Sequence, residues 1–169
     1  RRAGRADAEG NLVPLEEQDR SQWNRGEIDE GVALLDGALR RGEPGPYQLQ
    51  AAIAACHATA PTAAATDWHQ IALLYTRLFE MAPTPIVALN RAVAVAMADG
   101  PQAGLALVDA LAAQGHLAQY HLLAATRADL LRRLERNAEA GAAYREAIDL
   151  ATSDAERRYL ERRLAETTA

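Results

Sequence analysis

The side chains of this 169-residue chain that could carry chemistry are four histidines, one cysteine and a small polar cluster around a turn. A metal site on a helix needs two ligands one turn apart, or a Cys-x-x-Cys pair. His57, His69, His116 and His121 offer neither spacing and fall on different predicted helices or loops. Cys56 beside His57 has the composition of a nucleophile and its base. Adjacent residues of a helix point about 100° apart, so the pair is not assembled locally, and a lone cysteine among alanines reads as core. No Gly-rich phosphate loop, Ser-x-x-Lys or Gly-x-Ser-x-Gly occurs. The expectation is a chain without catalytic residue, metal or cofactor, and not an enzyme.

What remains is Asp99-Gly100-Pro101-x-x-Gly104-Leu105, preceded by Asn90 and Arg91. Gly100 ends one helix, and Pro101 starts the next at the position where its missing N–H costs nothing. Gly104 follows in the first turn, where lacking a side chain lets a partner helix approach. Asp99–Leu105 reads either as a well-made hairpin turn or, with Asn90 and Arg91, as the contact surface for a partner.

The elements that position them are helices. The 39 Ala and 22 Leu outnumber 11 Val plus Ile, a mixture that favours helix over strand and makes the fold class all-α. The net charge of −5 speaks against a DNA-gripping surface, which needs clustered cations. There is no signal peptide and no run of 18 apolar residues, so no membrane is expected and the setting reads as cytoplasmic. The chain opens Arg1-Arg2-Ala3-Gly4 without an initiator Met, which reads as a fragment of something longer.

Residues 1 to 14 read as a linker and residues 15 to 169 as one helical domain. After a short turn up to Trp23, Asn24 with Glu27 resembles a capping box opening a helix to about Arg41, whose stripe Ile28, Val32, Leu35 and Leu39 should be a buried face. Two prolines and two glycines in Gly42–Pro46 break the chain. Further helices are predicted over about 47–59, 68–82, 86–99, 101–114, 117–134 and 137–151, with a last one capped by Ser153 and Glu156. On the fourth helix the stripe Ile86, Asn90, Val93, Met97 puts Asn90 at an apolar position. Leaving its amide unpaired there would cost about 1–3 kcal/mol, so it should bond to a neighbouring turn.

Self-comparison finds a repeat. Tyr75-x-x-Leu78 recurs 69 residues on as Tyr144-x-x-Ala147, Gly104 stands 36 before Ala140, and Ala92 stands 36 before Ala128. The period lies in the tetratricopeptide range. Three hairpins follow, 45–83, 84–116 and 117–151, flanked by an entry helix and a capping helix: a right-handed stacked array of about eight helices, with a closed bundle as the alternative. Between Pro44 and Thr126 only six residues are charged, whereas 127–163 hold nine Arg and eight acids. The charge-poor middle is either closely packed or faces another protein, and the charged end reads as a solvated, ion-paired face.

At these residues the sequence resembles a known family. Leu15-Glu16-Glu17-Gln18-Asp19-Arg20-Ser21-x-Trp23, Gly45–Ala55, Asp67-Trp68, Ala88–Ala94, Asp99–Leu105 and Tyr120–Leu123 are similar to the C-terminal, tetratricopeptide-like extension of a group of bacterial extracytoplasmic-function-type RNA polymerase sigma factors. The resemblance implies a regulatory module whose partners are the sigma domains of the same full-length chain, the RNA polymerase core, or a further protein, with DNA bound only through upstream domains. It also implies a role in sigma activity for Asp99, Gly100, Pro101, Gly104 and Leu105. The alternative is a free-standing tetratricopeptide-type scaffold that captures a peptide carboxylate, for which only Asn90 and Arg91 qualify.

Overall fold

A computed structural model describes residues 13–42 and 44–168; the expected linker lies mostly outside the described residues. A 3-10 turn over Arg20–Gln22 precedes α1 (Arg25–Leu39), α2 (Pro46–Thr59), α3 (Trp68–Met81), α4 (Pro85–Asp99), α5 (Pro101–Ala113), α6 (His121–Arg133), α7 (Asn137–Leu150) and α8 (Asp154–Thr168). No strand occurs among the described residues.

The helix starts follow from side chains that satisfy otherwise orphaned backbone N–H groups. Asn24 accepts from Glu27 N at 3.2 Å, Asp67 from Gln70 N at 2.9 Å and Thr84 from Val87 N at 3.3 Å. Ser153 and Glu156 close a reciprocal capping box, each side chain accepting from the other's backbone N–H. Burial pushes the Glu156 carboxyl up, but hydrogen bonds from Ser153 and the nearby His121 hold it below its ordinary value. Pro46, Pro85 and Pro101 each take the first position of a helix. Gly100 has φ +99°, a conformation that excludes most side chains, and lets α4 reverse directly into α5.

The main contacts of each helix are with its neighbours in sequence, and beyond those α4 also touches α6. The result is the stacked array rather than a closed bundle, with α2–α3, α4–α5 and α6–α7 as hairpins. The repeat is a repeat of buried positions: Ala92 and Ala128, Val108 and Tyr144, Leu111 and Ala147 all lie in the same core. A larger cluster spans α4 to α8, and a smaller one joins Leu49, Ile53, Ile71 and Leu78 with Ala94. Helix α4 lies between the two, turning Ala92 and Ala96 to one and Ala94 to the other. Only small residues permit that double burial.

Three expectations are corrected. The α1 stripe is only half-buried: Ile28, Val32 and Leu35 are partly covered, Leu39 is exposed and α1 contributes no fully buried residue, because α2 is its main packing partner. The stripe Ile86, Asn90, Val93, Met97 is not the core face of α4, whose buried positions are Leu89, Ala92, Ala94 and Ala96. Asn90 is accordingly exposed and needs no bond to a turn. Helix α6 begins at His121 rather than near residue 117, because Gly115 (φ +74°) and the turns closed by Ala118 N to Gly115 O and Tyr120 N to Leu117 O intervene.

The tightest seam is between α4 and α5. A Cβ on Gly104 would run into the Ala96 side chain and lie 2.9 Å from both the Ala92 carbonyl oxygen and the Ala96 Cα. An alanine is about 1 kcal/mol better than glycine inside a helix, but overpacking against backbone costs about 1–3 kcal/mol. Gly104→Ala should therefore lower the urea midpoint. Gly31→Ala in α1, where a Cβ meets nothing within 4 Å, should raise stability by about 0.5–1 kcal/mol. A neutral or stabilising Gly104→Ala would contradict the seam.

Candidate functional site: the 99–105 turn and the groove of the array

The Asp99–Leu105 motif is mostly scaffold. Gly104 and Leu105 are buried, with Leu105 1% exposed, and Gly100 and Pro101 set the turn. Asp99 alone presents an exposed functional group: its side chain is 58% exposed, and its Oδ1 lies 3.8 Å from His69 Nε2 at the start of α3.

Asn90 and Arg91 do not join it, nor each other. Asn90 lines a cleft with Gln50, Ile53, Ala54 and His57 of α2. Arg91 points to the other side of α4, its guanidinium carbon 5.8 Å from the centre of the Phe79 ring. Neighbouring positions on a helix diverge by about 100°, and the two residues serve different surfaces.

The α4 stripe expected as core lines grooves instead. Val93, Ala96 and Met97 of α4 face Ala125, Asp129, Leu130 and Arg133 of α6 across a groove of about 580 Å³ that ends at Tyr159 of α8. Its floor is apolar, and its polar rim is tied down: Arg133 Nη1 donates to Met97 Sδ at 3.3 Å, and Asp129 is held by Arg132 at 2.7 Å and Arg163 at 3.1 Å. Burial pushes the Tyr159 hydroxyl up; Arg163 opposes this, while Asp129, Tyr144 and Glu16 add to it. The influence of Glu16 fits its position, because Pro14, Leu15 and Glu16 line the same groove.

Arg20 fixes that entry segment. It is 7% exposed, and its Nη1 donates to the carbonyls of His57 (2.7 Å) and Ala60 (2.8 Å) at the end of α2, while Nη2 donates to Thr66 Oγ1 at 3.2 Å. Its guanidinium also lies 4.9 Å from the centre of the Trp23 ring, a cation–π distance. Arg20 stood in the Leu15–Trp23 motif, but its partners are 37 to 46 residues away in sequence. No local pattern could have assigned it this role.

The histidines disperse. His57 meets the Trp68 ring edge-on at 5.1 Å, His121 Nε2 lies 3.5 Å from Glu156 Oε1, and His116 belongs to the cleft beside Arg91. Among the described residues no group of three His, Cys, Asp or Glu could hold a metal ion, and no helix is long and apolar enough to cross a membrane. Burial, then Asp67, pushes the Cys56 thiol up, which disfavours the thiolate that nucleophilic attack requires.

Arg20→Met keeps the apolar stem but strands the accepting carbonyls, each worth about 1–3 kcal/mol when buried and unpaired. The expected outcome is a loss of roughly 2–4 kcal/mol in denaturant unfolding and faster amide exchange in residues 13–23. Unchanged exchange there would show that Arg20 does not hold the entry segment.

Residues 1–39 match a family described as a family of unknown function (DUF6596), a match whose described part is the entry segment and α1. A relative from Rhizobium meliloti (strain 1021), "Uncharacterized protein R00370", is 46% identical over 164 residues, covering 97% of this chain and 38% of the relative. The chain thus spans little more than a third of that relative's length. No solved structure matches the chain.

Proposed function

We propose that this chain is the C-terminal regulatory domain of a bacterial extracytoplasmic-function-type RNA polymerase sigma factor. It sets sigma activity by contact with the sigma domains, the polymerase core or a partner protein, and leaves DNA binding to domains upstream. The observation that carries this reading is the placement of the motif residues. Leu15–Trp23 enters the groove and is pinned by Arg20, Asp67 caps α3, and Asp99–Leu105 closes the α4–α5 seam. The motifs thus mark the joints of a platform rather than a reactive centre. The Rhizobium meliloti relative, of which the aligned region is 38%, has length enough for further domains.

A free-standing peptide-binding scaffold is the second reading, and the groove of about 580 Å³ favours it. Against it, the pair expected to capture a carboxylate does not assemble, since Asn90 and Arg91 face different clefts.

Asp99 separates regulation from folding, because its side chain is exposed and its one ion-pair contact among the described residues is the distant one with His69. In the full-length factor, Asp99→Arg is expected to leave the melting temperature unchanged and to alter transcription from a cognate promoter severalfold. Unchanged transcription by a folded variant would remove the role assigned to the motif.

A further inference from the structure

Arg91 presents a physical puzzle that the regulatory reading does not absorb. It is a partly buried guanidinium in the charge-poor part of the chain, and among the described residues no carboxylate pairs with it. Its Nε is cut off from solvent and has no hydrogen-bond partner. The Phe79 ring at 5.8 Å offsets the charge by about 0.5–1 kcal/mol. A buried donor left unpaired forfeits about 1–3 kcal/mol. On these magnitudes Arg91 is not placed where it is to stabilise the empty fold.

What surrounds it is a cleft of about 510 Å³ between the end of α3, the start of α4 and the end of α5. Phe79, Pro83, Ala88, Leu107 and Leu111 give it apolar walls. Gln114 and His116 stand at its rim, and Arg91 supplies the guanidinium among the described lining residues, with no carboxylate beside it. The size falls within the range of about 300–1,000 Å³ typical of small-molecule sites, which combine apolar walls with a few polar groups that fix orientation. The two terminal nitrogens of a guanidinium match the two oxygens of a carboxylate.

We propose that this cleft binds a small organic carboxylate, its apolar body against Phe79, Leu107 and Leu111 and its carboxylate on the terminal Nη nitrogens of Arg91, where it supplies the missing counter-charge. The site is separate from the groove between α4 and α6, and the inference does not rest on the sigma-factor reading.

The test uses the 169-residue chain labelled with nitrogen-15 and titrated with phenylacetate, 3-phenylpropionate and 4-methylpentanoate, each beside its primary amide. At least one acid is expected to shift the Arg91 Nε–Hε signal saturably, together with the amides of Ala88 and Leu111. Its amide should bind at least about tenfold more weakly, a difference of about 1.4 kcal/mol. Arg91→Met should abolish the shifts and leave the melting temperature unchanged or higher. The proposal is overturned if none of the three acids shifts these signals, or if acid and amide bind alike. It is equally overturned if Arg91→Met lowers the melting temperature, which would assign the guanidinium to the fold.

Discussion

The array depends on one close approach. Where α4 passes α5, no atom fits between the Gly104 Cα and the Ala92–Ala96 turn, and the two helices meet backbone to backbone. The same helix α4 supplies Ala92 and Ala96 to the larger core and Ala94 to the smaller one. Separating α4 from α5 would therefore open the larger core at the helix that links both. A medium-sized side chain at any of these positions would force one pair of helices apart. The richness in alanine, which composition alone reads only as helix propensity, is thus a packing requirement at the centre of the stack.

The consequence for the surface is an exchange of faces. Because Ala92, Ala94 and Ala96 do most of the burying on α4 beside Leu89, the longer side chains at Val93 and Met97 are left to line the groove toward α6. A helix packed on opposite sides has no single apolar stripe, and its hydrophobic period marks a binding surface as readily as a core. The chain's own entry segment reaches that surface through Pro14, Leu15 and Glu16. Whatever docks on the array there has to share the groove with it.

Much of this was legible in the sequence where the governing physics is local. Caps at Asn24 and Ser153, Pro101 at the first position of its helix, and the Gly100 reversal involve partners within four residues, and each falls where spacing puts it; Pro46 and Pro85 instead begin their helices one residue before the expected starts. Gly104 was also legible, since the repeat aligned it with Ala140. The failures concern distant partners. The stripe of α1 has the right period but lacks a second helix to cover it. By period alone Asn90 falls on an apolar face and would need a partner, whereas in the array it is exposed. Arg20 gave no sign of its burial because its acceptors come from the end of α2 and the loop after it. At the candidate site, the motif was visible as a unit, but only the fold distinguishes Asp99, which is presented outward, from Gly104 and Leu105, which hold the seam.

Native-state hydrogen exchange tests the dependence on the α4–α5 seam most directly, because it assigns an opening free energy to each amide. The account predicts that the amides of Leu89–Met97 in α4 and Leu105–Leu111 in α5 exchange only through global unfolding, with opening free energies equal to the largest in the chain. The contradicting result is a seam that opens at distinctly lower free energy while α6 and α7 stay protected, which would place the organising contact in the C-terminal hairpin instead.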